Sequence, residues 1–87
     1  MKRREGARLA AALGSVVRAE RLRAGLTQEQ LAEAAEMHPN YISFVERGLR
    51  DPSFAHLVAI ATALEIRPQR LVAKTLKALE RVRADAK

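Results

Sequence analysis

The chain contains no cysteine and only three aromatic residues, Tyr41, Phe44 and Phe54. Without cysteine there is no disulfide, no thiolate zinc site and no cysteine nucleophile, and the composition fits a reducing cytoplasm. The two histidines, His38 and His56, have no carboxylate cluster around them in the sequence. No metal site, no cofactor site and no nucleophile–base arrangement is visible, so the chain does not read as an enzyme. No apolar stretch approaches the length that crosses a bilayer. Internal repeats, low-complexity segments and strand patterns are absent too. The apolar 48% is mostly Ala, Leu, Val and Ile, which argues for a core of packed helices.

What is present in excess is positive charge. Eighty-seven residues form one small domain, 1–87, and carry a net charge of +6. Such a balance points to a polyanionic partner, nucleic acid first and an anionic membrane second; solubility alone also accounts for several charges. The start, "MKRREGARLAAALGSVV", imitates a signal peptide, but Arg18, Glu20, Arg21 and Arg23 follow at once. An amphipathic helix fits it better. Residues 1–5 are expected to be a frayed basic arm; Lys2, Arg3 and Arg4 either reach a minor groove or stay solvated.

Periodicity predicts five helices, at about 6–23, 28–35, 39–47, 54–64 and 69–83. Gly14 inside the first costs about 1 kcal/mol relative to alanine, and a close helix crossing would explain it. Thr27 and Gln30 have capping-box spacing for the second helix. Pro39 suits the first position of the third, which makes His38 its cap, a poor one by residue type. Ser53 caps the fourth, with an inward stripe of Phe54, Leu57, Ile60, Ala61 and Leu64. Leu71, Val72, Leu76, Leu79 and Val82 run along the C-terminal helix, 68–87.

Two short helices joined by a tight turn make a helix-turn-helix unit. Ala32 is the small residue at the crossing; Leu31, Ala35, Met37, Ile42 and Val45 lock it. The other side of the third helix then carries Asn40, Ser43, Phe44 and Arg47 at i, i+3, i+4, i+7. A bare phenylalanine beside an arginine is odd on a solvated face.

The stretches "LGSVVRAERLRAGLTQEQLAEAA", "YISFVERG" and "DPSFAHLVAIATALEI" resemble the Cro/C1-type (XRE) helix-turn-helix family of phage and bacterial repressors. The resemblance runs from about Leu13 to Leu71. "HPNYISFVERGLRDPS" also looks like the controller proteins of restriction–modification systems. The resemblance implies an all-α, five-helix, lambda-repressor-like domain whose third helix enters the major groove of double-stranded DNA. Two departures stand out. Glu36 occupies the turn position where the family has glycine, and His38 replaces the family's Ser or Thr cap.

Each candidate contact has a plain alternative. Asn40 can pair with adenine in two hydrogen bonds, or be a solvated first-turn residue. Pro39 offers only apolar contact. The Phe44 ring can lie on a thymine methyl, or belong to the core. Tyr41 can reach a phosphate or find a core partner. Arg47 and Arg50 are expected at phosphates or base edges, or in solvent. Family usage puts Gln28 on a phosphate, and Ser53 at the next helix start can act likewise. In the family, the positions of Arg21 and Glu46 pair between helices one and three. A homodimer on an inverted-repeat operator is expected, with Val72, Leu76, Leu79 and Val82 as its interface. The rival use of the same stripe is an antitoxin-type protein partner, a toxin.

Overall fold

A computed structural model describes residues 1–85; residues 86–87 lie outside it. Five helices follow in order: α1 Arg3–Arg23, α2 Gln28–Ala34, α3 Pro39–Glu46, α4 Phe54–Ala63 and α5 Pro68–Asp85. No strand occurs among the described residues. The five helices of the sequence reading are all present, with four of the ten ends unchanged and the others shifted by one to three residues.

The largest shift is at the start. Residues 1–5 are not an arm, because α1 is already helical at Arg3. Lys2 is its extended N-cap residue, and the Gly6 N–H donates to the Lys2 carbonyl at 3.0 Å. Glu5 sits in the first turn, where a carboxylate favours the helix dipole, and it accepts from Arg83 of α5 at 3.1 Å.

The core is built from Val17, Leu31, Ala32, Ile42, Val45, Ile60, Ala61 and Leu71, all fully buried. Burying each larger one contributes about 1.5–3 kcal/mol. Gly14 marks the crossing of α1 and α3: a Cβ there would lie 2.3 Å from the Val45 carbonyl oxygen. Phe54 departs from the expected inward stripe of α4. It is 79% exposed, because the first turn of α4 overhangs the core that begins at half-buried Leu57.

Helices α1 to α4 all end the same way. The residue two beyond each C-cap is apolar (Leu26, Met37, Leu49, Ile66) and donates back to the carbonyl five residues earlier, at 2.8–3.1 Å. This Schellman closure needs a left-handed residue in between. Gly25 and Gly48 supply two of them, but the others are Glu36 (φ 57°) and Glu65 (φ 58°). Glutamate in the helix-turn-helix turn therefore preserves the turn that the family makes with glycine, at a cost of about 1 kcal/mol.

Helix α5 lies along α1 and buries Leu71, Thr75 and Leu79. The expected interface of Val72, Leu76, Leu79 and Val82 is corrected at one residue. Leu79, only 5% exposed, is an intramolecular core residue; Val72, Leu76 and Val82 remain 39–49% exposed.

Candidate nucleic-acid interface

Helix α3 is fixed from behind. Ile42 and Val45 anchor it in the core. Glu46, at its last turn, receives the guanidinium of Arg21 from α1 in a two-pronged pair: Nε to Oε2 at 2.6 Å and Nη2 to Oε1 at 3.0 Å. Both side chains are nearly inaccessible, at 9% and 2%. The remaining Arg21 nitrogen, Nη1, donates to the Leu26 carbonyl at 2.8 Å. Hydrogen bonding to Glu46 holds the Arg21 pKa above its ordinary value; burial opposes this and the Glu46 charge adds to it.

Gln28 belongs to the same network. Its side-chain amide donates to Glu46 Oε1 at 3.0 Å. One of the two N–H donors of the group expected to meet a phosphate thus ties the start of α2 to the end of α3. The sequence gives no local signal for this, because the two residues lie eighteen apart.

The outer side of α3 carries exposed Asn40 and Arg47, with half-buried Pro39, Ser43 and Phe44. Asn40, Ser43 and Pro39 line one wall of an open cleft of about 440 Å³; Thr27, Gln28 and Glu29 of α2 form the other. His38 does cap α3: its ring Nδ1 accepts from the Asn40 backbone N–H at 3.0 Å. That bond requires an unprotonated Nδ1. The Phe44 ring stands outside the core cluster. The Arg47 guanidinium carbon lies 5.2 Å from its centroid, within cation–π range, so the arginine covers part of a ring that the core leaves half-buried.

Tyr41 has a partner that the sequence did not reveal. Its hydroxyl lies 3.0 Å from His56 Nδ1 at the start of α4, and the rings meet edge-on at 5.0 Å. Burial pushes its pKa up; Arg50 pulls it down, and Asp51 adds a smaller upward push. Ser53 accepts the His56 backbone N–H at 3.1 Å as the cap of α4. Arg50 is exposed in the loop between α3 and α4. On the far side of that loop, Leu9, Leu13, Pro52, Leu57, Val72 and Leu76 line a shallow apolar groove of about 190 Å³. Phe54 stands exposed one helical turn before Leu57. No group of His, Cys, Asp or Glu able to hold a metal occurs among the described residues. No helix there is long and apolar enough to cross a membrane.

A protein-family model described as helix-turn-helix matches residues 17–71. The chain belongs to the Cro/C1-type (XRE) helix-turn-helix family. It is similar to the control protein C.BamHI of Bacillus amyloliquefaciens, 38% identical over 60 residues, which are 68% of this chain and 74% of that protein. Its fold matches the crystal structure of the clp gene regulator ClgR from Corynebacterium glutamicum with a TM-score of 0.85 at 29% identity, covering 90% of this chain and 83% of that one. It also matches the restriction–modification controller protein C.Esp1396I, solved as a tetramer in complex with its natural 35 base-pair operator. That TM-score is 0.75 at 30% identity, over 82% of this chain and 93% of the other. The chain spans about half or less, 48% and 38%, of the first curated mycobacterial transcriptional regulators it matches.

Proposed function

We propose that the chain is a transcriptional regulator that reads an inverted-repeat operator as a homodimer, with α3 in the major groove. The observation that carries this reading is the row Asn40–Ser43–Phe44–Arg47, presented outward on a helix whose back is locked by Arg21, Glu46 and Gln28. Asn40 has the donor and acceptor for adenine, and Phe44 beside Ser43 offers an apolar surface for a thymine methyl. Arg47 and Arg50 meet phosphates, which position without specifying. A controller protein of similar fold, solved in complex with its operator, supports operator binding by such a domain.

One recognition helix makes a small interface, so a second copy supplies affinity. Val72, Leu76 and Val82 are the exposed apolar residues on α5, and Leu49 and Phe54 add to the exposed apolar surface. A two-fold axis there would set the recognition helices about 34 Å apart, one turn of B-DNA. In-vitro selection from random duplexes tests the reading. An inverted repeat should emerge, bound with an affinity that falls linearly in log–log salt, with a slope of about 0.9 per phosphate neutralised. Equal affinity for selected and scrambled duplexes, or a selected site without symmetry, would sink it.

A further inference from the structure

The chain's positive charge is concentrated away from the recognition helix. A groove of about 400 Å³ runs between α1 and α5. Its cations are Arg23, Lys74, Lys77 and Arg81, and its one carboxylate is Glu20. Four against one leaves three of the chain's six net positive charges in this groove. Glu20 is already engaged, accepting from Lys74 at 3.0 Å and Arg23 at 3.1 Å. No ion pair to Lys77 occurs among the described side chains. Lys74, Lys77 and Arg81 recur at i, i+3, i+7 and so line one face of α5 for about 10 Å. Between the cations the floor is small and largely apolar: Val16, Ala19 and Ala78, with Ser15 at one side.

The groove is also turned away from the proposed DNA face. On α1, Gly14 and Arg21 face α3, whereas Glu20 and Arg23 meet α5 or its groove. Arg23 is nine residues from Gly14, which at 3.6 residues per turn is about half a turn around the helix. A duplex lying along the outer side of α3 is thus on the opposite side of α1. A single-stranded nucleic acid would need stacking platforms, and the groove contains no aromatic residue.

We propose that the α1–α5 groove is a docking surface for an acidic, amphipathic segment of another protein, its apolar side chains on Val16, Ala19 and Ala78 and its carboxylates on Lys77, Arg81 and Arg23. This goes beyond the DNA reading and stands without it, because α3 contributes no residue.

The probe is a synthetic helical peptide with a leucine stripe flanked by glutamates. Its controls are the same peptide with glutamine for glutamate, and a random-sequence duplex. Amide spectra of the full chain should shift saturably at Ala19, Arg23, Lys77 and Ala78. Lys77→Glu with Arg81→Glu should weaken the peptide by on the order of tenfold or more. The same variant should hold the selected operator within about threefold at physiological salt, where charges are screened beyond about 8 Å. Because both residues are exposed, the thermal melt should not change; Lys77→Glu alone repeats the comparison with a smaller charge change. Absence of saturable shifts, equal binding of the glutamine peptide, or an unaffected variant would overturn the proposal. So would a random duplex that shifts the same amides at lower concentration than the peptide, which would make the groove a nucleic-acid surface. A variant that also lost the operator would overturn the placement of the groove away from the DNA, whereas a parent chain that selects no operator would refute only the DNA reading.

Discussion

Glu46→Gln changes one atom's identity and one charge at the joint that holds the recognition helix. The carboxylate accepts three hydrogen bonds, from Arg21 Nε, Arg21 Nη2 and Gln28 Nε2, at 2.6–3.0 Å. A glutamine oxygen can replace one acceptor position. Its NH2 group must then face Arg21 Nε in one orientation, or Arg21 Nη2 and the Gln28 amide in the other, a donor against a donor in either case. Arg21 cannot relieve the conflict by losing its proton, since arginine stays charged in proteins. It becomes a buried cation without a counter-charge, at 9% side-chain exposure. Breaking one partner of a buried pair costs about 3–5 kcal/mol. At roughly 4–8 °C per kcal/mol for a domain of this size, the melting temperature should fall by at least ~12 °C. Glu33→Gln, on the exposed side of α2, is the control and should stay within about 0.5 kcal/mol of the parent.

The double change Arg21→Met with Glu46→Leu separates charge from packing. It removes both ions, and similar apolar volumes fill their place, so roughly half or more of the loss should return. Recovery stops short of complete because the Leu26 carbonyl and the Gln28 amide each lose a partner. Urea and thermal unfolding followed by helical circular dichroism give both numbers. The reasoning fails if Glu46→Gln lies within about 1 kcal/mol of Glu33→Gln, or if the double variant is no more stable than Glu46→Gln. Operator binding by the recovered double variant should still be weaker than the parent's, since α2 and α3 are no longer tied through Gln28.

Glu36→Gly and Glu65→Gly should each stabilise by about 0.5–1 kcal/mol, the left-handed strain removed less the entropy glycine adds to the unfolded chain; unfolding midpoints check this. Gly14→Ala places a methyl against the Val45 and Glu46 carbonyls and should cost about 1–3 kcal/mol while moving α3 enough to reduce operator affinity. Asn40→Ala and Phe44→Ala should change the preferred sequence, each costing about 1–3 kcal/mol at the selected site, whereas Arg50→Ala should weaken all duplexes alike; since Phe44 is outside the core cluster, a Phe44→Ala variant that unfolds would refute its placement. Leu76→Glu should yield a folded monomer by light scattering, while Leu79→Glu, a charge forced into the α1–α5 contact, should unfold the chain.

The sequence carries the local part of this structure and loses the non-local part. The starts of α2 and α4 were legible because their signals sit within three residues: Thr27 and Gln30 close a reciprocal capping box at 2.9 and 3.0 Å, and Ser53 caps α4 at its predicted position. The crossing at Gly14 was legible because a glycine in a helix interior needs a reason. Phe54 was misplaced because i, i+3 spacing with Leu57 shows which side of a helix a residue is on, not whether the core extends that far. Helix α5 was misread for a related reason. Leu9, Val16 and Glu20 give α1 a second working face, and the pairs that align α5 on it, Lys74–Glu20 and Arg83–Glu5, span 54 and 78 residues.

The candidate reading face divides in the same way. Asn40, Ser43, Phe44 and Arg47 share a side by helical spacing alone, so their outward placement follows once α3 is assigned. Their surroundings do not follow. Arg47 on the Phe44 ring, Tyr41 on His56 and Gln28 on Glu46 are each a choice among rotamers, made by neighbours that the spacing rule does not see. These choices bear on recognition. An arginine stacked on Phe44 must leave the ring, or share it, before the ring meets a thymine methyl. Tyr41, held by His56, keeps a lone pair but gives up free rotation of its hydroxyl. The residues that fix α3 are thus buried and charge-paired, while those that would read DNA are held by weak contacts that a base edge or phosphate can replace. That division lets the reading face change residue by residue without loss of the fold, since none of Asn40, Ser43, Phe44 and Arg47 belongs to the core cluster.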